Sequence, residues 1–198
     1  IGILTELEYR ANFGVQLFQT FLALVIAVGR LSVIFYHTDE LGGWGPDQML
    51  ALTGVFFLVL GMVNLIIQPS MQRVLEDVRR GTLDFVLTKP EDAQLLVSVR
   101  QIEIWKVVDV LVGLGLIVVA LYRLRESIGF VEALGFALAL LAGLAIVYSF
   151  LLMLTTCSFW FVRVENLLVI FQSMYEAGRW PVGLYPGWLQ FALTSLVP

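Results

Sequence analysis

Few side chains in this sequence have the types and spacing that chemistry requires, and most of them fall in one stretch. Residues 70–90, SMQRVLEDVRRGTLDFVLTKP, carry Arg73, Glu76, Asp77, Arg79, Arg80, Asp84 and Lys89 between long apolar runs. Glu76–Asp77 and Glu91–Asp92 are adjacent carboxylates. Neighbours on a helix point in different directions, so they read as solvated or partner-facing charges rather than as a general acid and its base. One histidine and one cysteine exclude a zincin motif, a Cys/His zinc finger and an internal disulfide. His37 reads as a solvated interfacial residue and Cys157 as a small buried apolar one. Lys89 and Lys106 are the only lysines and neither sits in a glycine-rich turn, so the G-x-x-x-x-G-K-[ST] phosphate loop is absent. The chain is therefore expected to be no enzyme and to bind no metal or cofactor of its own.

The polar stretch needs a helix to position it. Met71, Val74, Leu75 and Val78 fall at i, i+3, i+4 and i+7, an apolar stripe, while Arg73, Glu76, Asp77, Arg79 and Arg80 take the other face. Gly81 follows the last periodic residue and supplies the left-handed conformation of a C-terminal cap, with two arginines suited to the negative end of the helix dipole. Beyond it Leu83, Phe85 and Leu87 alternate with Thr82, Asp84, Val86 and Thr88, which predicts an extended segment up to Pro90. Pro90, Glu91 and Asp92 are start signals for a new helix.

Everything around this island is apolar. The chain has 198 residues, 59% hydrophobic and 14% charged, with a net charge of −4, and its mean hydropathy is +0.88. A soluble domain carries about a quarter charged residues, so the composition specifies an all-α polytopic membrane bundle in contact with lipid. The 12 basic residues are scattered over several loops and form no basic stripe, which argues against nucleic acid as a partner. No cleavable signal peptide is visible. The first residue is Ile1 and the last two, Val197 and Pro198, lie within an apolar run, so both natural ends are expected beyond this sequence.

In chain order, residues 1–12 predict an amphipathic interfacial elbow, and 13–35 a first span. YHTDELGGWGPDQ, 36–48, has loop chemistry, and 49–67 form a second span. Nothing between 90 and 121 breaks a helix, and its length of about 48 Å exceeds the hydrocarbon core, so the third span is expected from about Ile104. After the loop YRLRESIGF, residues 131–161 are a fourth apolar run in which Gly135, Ala139 and Gly143 predict a helix-packing face. Residues 166–177 start a fifth helix too short to cross alone, and Arg179, Pro181 and Pro186 predict a break or re-entry before a last apolar helix at 186–197.

Polar groups inside the apolar runs are candidates for a pathway or for interhelical bonding. Arg30 either snorkels toward the outer interface or faces the bundle. Lys106 and Asp109, at i, i+3, suit a structural pair. Asn64 and Gln172 suit hydrogen bonds between helices, with substrate contact the sharper alternative. With the N-terminus in the cytoplasm, Arg10, Arg73, Arg79, Arg80, Lys89, Arg100, Lys106 and Arg163 lie inside against Arg123, Arg125 and Arg179 outside, as the positive-inside rule requires.

The runs RRGTLDFVLTKPEDAQ, LEYRANF, HTDELGGW, FWFVRVENL and GRWPVGLYPGWL resemble the bacterial ABC-2 type transporter permeases over nearly the whole chain. The resemblance implies a single transmembrane domain over 1–198, about six spans with the sixth following Pro198, and a permease subunit of an ATP-driven exporter in the bacterial inner membrane. It implies a partner ATP-binding subunit that holds ATP and Mg, and a second permease copy or a related permease. The helix at 71–80 would be the coupling helix, docking on the ATPase through Arg73, Glu76, Asp77, Arg79 and Arg80, with Gly81, Asp84 and Lys89 in the segment that joins it to the third span. A membrane scaffold that recruits a cytoplasmic protein through 70–90 is the alternative. A secondary transporter lacks support from inverted repeats or intramembrane acids.

Overall fold

A computed structural model describes residues 2–84, 94, 98–125, 129–157 and 176–195, the side chains of 2–12 and 177 excepted. The described secondary structure is all-α, with one isolated bridge between Leu41 and Trp44. The described helices are α1 (Gly2–His37), α2 (Pro46–Met62), α3 (Gln68–Arg80), α4 (Val107–Leu124), α5 (Phe130–Thr156) and α6 (Gly187–Ser195), and a π turn, Val63–Ile67, links α2 to α3. Four helical stretches among the described residues are long and apolar enough to cross a membrane: Phe13–His37, Pro46–Arg80, Ile104–Leu124 and Phe130–Thr156. The expected fifth helix at 166–177 lies outside the described residues but for its end.

The chain divides into two compact units, Ile1–Gly61 with Ile104–Ser127, and Met62–Glu103 with Ile128–Pro198. In the first unit, α1 runs as one helix from Gly2, so the segment expected as a separate elbow continues straight into the span; no proline or loop residue between them interrupts the hydrogen-bond ladder. The loop after α1 turns at Gly42 and Gly43, both at positive φ (60° and 83°), with Leu41 and Trp44 exchanging backbone hydrogen bonds of 3.0 and 3.1 Å. Two adjacent glycines are what such a turn favours. Pro46 then opens α2 with Asp47 in its first turn, and Asp47 lies 3.7 Å from Arg123 at the end of α4.

In this unit α2 and α4 cross closely, through Gly54, Leu58 and Gly61 on one side and Val110, Gly113 and Ile117 on the other. A methyl group placed on Gly113 would lie 2.5 Å from the Leu58 amide nitrogen and 2.8 Å from the Gly54 carbonyl oxygen. Glycine lets the backbones approach where van der Waals contact is the main attraction between membrane helices. The small-residue face expected at Gly135 and Gly143 does not pack this way: no described atom lies within 4 Å of a methyl group built on either. In the second unit α5 instead packs against α3 and the π turn, burying Val147, Leu151 and Thr155, a stripe at i, i+4, i+8 near the other end of the helix.

Two further expectations meet a different backbone. The second span and the polar island are one unbroken 35-residue helical stretch, Pro46–Arg80, reaching about 52 Å against a core of about 30 Å. The island is thus the projecting end of a span rather than a separate surface helix. Conversely, the helix expected to run without interruption from 90 to 121 is broken: 99–103 are a turn and irregular backbone, and helix resumes through the 3₁₀ turn Ile104–Lys106. Polar groups of the preceding span supply this irregular segment with the hydrogen bonds that a helix would have given it.

Candidate functional site

The candidate docking site is the exposed face of α3, and a later segment is tied to the helix on its inner side. Pro69 has no N–H and its ring clashes with the carbonyl four residues earlier, that of Leu65. The helix absorbs the clash by widening into the π turn, where the Gln68 amide donates to the Val63 carbonyl, five residues back. The Leu65 carbonyl accepts instead from the Glu103 amide, at 2.9 Å. One turn on, Ser70, fully buried, donates from its hydroxyl to the Gln101 carbonyl at 3.0 Å and accepts from the Gln101 amide at 3.3 Å. Asp77, 4% exposed, lies 2.5 Å from the Arg100 guanidinium and accepts from the Thr82 hydroxyl at 3.0 Å. The Arg100 contact is an ion pair by distance, but Asp77 Oδ2 makes no aligned hydrogen bond and buried Arg100 Nε has no acceptor among the described residues. Ser98 adds a 2.5 Å hydrogen bond to the Tyr148 hydroxyl of α5.

The remaining residues of α3 divide as the periodicity predicts. Met71, Val74 and Leu75 are buried, whereas Gln72, Glu76, Arg79 and Arg80 are exposed and Arg73 is half-buried. Glu76 pairs with Arg73 at 3.2 Å and Arg80 at 3.5 Å. Exposed pairs of this kind contribute little to stability, which leaves the charges free to change partners. Gly81, with φ 65° and ψ 24°, caps the helix by donating to the Asp77 and Val78 carbonyls, and the exposed Asp84 follows. Of the predicted contact residues that are described, Asp77 alone is buried; α3's i, i+3 spacing places it on the side of Val74 rather than with Glu76. The segment expected to run extended instead turns at Leu83 and is helical at Asp84, where Thr82 bonds back to Asp77; Lys89 and the rest of it up to Pro90 lie outside the described residues.

A second polar cluster lies in the first unit. Asp109, in the first turn of α4, lies 3.7 Å from Lys106, accepts from the Thr20 hydroxyl at 2.5 Å and from the Gln16 amide at 3.3 Å. Gln16 also reaches Thr20 at 3.1 Å. The Lys106–Asp109 pair was legible from its spacing; its bonding to α1 was not, although Gln16 and Thr20, four residues apart in an apolar run, were the available signal. Arg30 is exposed on α1 and Asn64 half-buried in the π turn. Gln172 is outside the described residues. No group of three or more His, Cys, Asp or Glu side chains is arranged to hold a metal among the described residues.

An all-α chain with four described helical stretches long and apolar enough to cross a membrane is a multi-pass membrane protein. Residues 21–198 match the family described as "ABC-2 family transporter protein", and the chain belongs to that family. It is a membrane permease component of an ABC transporter. No curated protein and no solved structure matches it.

Proposed function

We propose that this permease couples ATP hydrolysis on a separate ATP-binding subunit to export of a substrate across a bacterial cell membrane, with α3 as the coupling helix. The observation that carries this reading is the exposed Glu76, Arg79 and Arg80 face, with the half-buried Arg73 beside it, at the end of a helix longer than the membrane is thick. A helix that floated on lipid would carry a nearly all-basic polar face; the acid among the arginines suits a protein groove of mixed charge. Gly81 and Asp84 extend the same exposed face. ATP and Mg²⁺ belong to the partner. The lysine and arginine distribution supports a cytoplasmic position for this end and for the N-terminus. Two permease copies, or this one with a related permease, enclose the pathway, whose access is biased by the nucleotide state of the partners.

The test is to purify the full-length protein from its native membrane in mild detergent, identify what accompanies it and assay ATP hydrolysis. The reading expects a near-stoichiometric partner with a Walker loop and hydrolysis that is lost when 71–80 is scrambled. A partner without nucleotide-binding motifs, and background hydrolysis, would instead favour a scaffold.

A further inference from the structure

We propose that residues 100–103 are a strap that transmits displacement of α3 to the helix following it in the chain, and that Arg100 is the positioning residue that locks it. The transmission part rests on the coupling-helix reading above; the strap itself does not. Three ties join the strap to the span, in opposite chain order: Leu65 to Glu103, Ser70 to Gln101 and Asp77 to Arg100. Were 90–121 one helix, force would pass along its axis. With the backbone irregular at 101–103, force from α3 must cross through these ties.

The first tie exists because of Pro69. In an ordinary helix the residue at 69 donates to the carbonyl at 65; proline cannot, and the Glu103 amide stands in its place. The π turn and the strap are thus one device, since the strap is bonded to a carbonyl inside the turn. Ser70 spends both its donor and its acceptor on Gln101, so it has no second use. Only Asp77–Arg100 joins the strap by two side chains, and both are largely shielded, at 5% and 21% exposure. Arg100 is therefore the strap residue whose own side chain makes a tie, so that substitution within the strap can cut it without touching the backbone.

The experiment is amide hydrogen exchange on the full chain in lipid nanodiscs, alone and with its ATP-binding partner, nucleotide-free and vanadate-trapped. Two variants cut different ties: Arg100→Gln removes the charge, and Pro69→Ala restores the missing N–H so that Leu65 no longer needs Glu103. Arg123→Gln, which breaks the exposed pair with Asp47, is the control. In the chain alone, both strap variants should speed exchange at Gln101 and Glu103 while the control does not; in Pro69→Ala exchange within 63–69 should slow at the same time. In the complex, Arg100→Gln should keep partner stoichiometry and hydrolysis but lose the nucleotide-dependent change in protection across 107–124, and Arg100→Lys should restore it. Unchanged exchange at Gln101 and Glu103 in the chain alone overturns the strap. A wild-type nucleotide response in Arg100→Gln overturns transmission through it. Absence of an ATP-binding partner overturns transmission together with the coupling reading, while the chain-alone arm still decides the strap.

Discussion

Replacing Gly113 with alanine adds one methyl group at the tightest point of the α2–α4 crossing. That carbon would sit 2.5 Å from the Leu58 nitrogen and 2.8 Å from both the Gly54 oxygen and the Leu58 Cα, all of them backbone atoms that cannot rotate aside. Ordinary contact begins at 3.4 Å, so the helices must part by about 0.9 Å, and the neighbouring contacts between Gly61 and Val110 loosen with them. Overpacking of this kind costs about 1–3 kcal/mol, which for a chain of this size lowers the melting temperature by about 2–10 °C. Gly115, two residues along the same helix, is the matched control: nothing lies within 4 Å of a methyl group built there, so Gly115→Ala should stabilise by up to about 1 kcal/mol through helix propensity alone. Thermal unfolding in detergent, followed by loss of the monodisperse peak, reads both. Equal stability of the two variants would refute the close crossing.

Asp77→Ala strands the Arg100 guanidinium and the Thr82 hydroxyl and should cost about 2–3 kcal/mol, toward the low end for a broken buried pair because Arg100 keeps some solvent; thermal melts compared with Arg80→Ala, which should change little, check it. Asp109→Ala removes the shared acceptor of Thr20, Gln16 and Lys106 and should cost about 1–3 kcal/mol, with cysteine pairs across α1 and α4 cross-linking less efficiently as the second readout. Gly81→Val forces a β-branched residue into a φ of 65° and should destabilise the cap by about 1–2 kcal/mol, seen as faster amide exchange in 78–82.

The spans were legible because a bilayer demands long apolar runs, and the cap at Gly81 because few residues but glycine take the left-handed conformation after an amphipathic stripe. The Gly42–Gly43 turn was legible for the same reason. What escaped the sequence depends on contacts distant in the chain. Pro69 looks like the end of a span, yet the helix passes through it, since an amide 34 positions later replaces the bond that proline cannot make. Residues 99–103 contain no breaker, yet they are not helical, because Ser70 and Leu65 compete for their backbone groups. Asp77 lies among the arginines in sequence; its i, i+3 spacing from Val74 pointed to the inner face, but its partner Arg100 could not be read from the sequence. Gly113 stood among other glycines with no period to single it out, whereas the regular Gly135–Ala139–Gly143 spacing marked a face that packs against nothing described.

The most direct test of α3 as the docking element is photo-cross-linking in the native membrane, with a benzophenone amino acid placed singly at Gln72, Glu76 or Arg80 and, as a control, at the exposed Trp188 of α6. Docking through α3 predicts adducts to a nucleotide-binding subunit from the three α3 positions and none from position 188. Adducts to lipid alone from α3, or to the nucleotide-binding subunit from position 188 and not from α3, would contradict it.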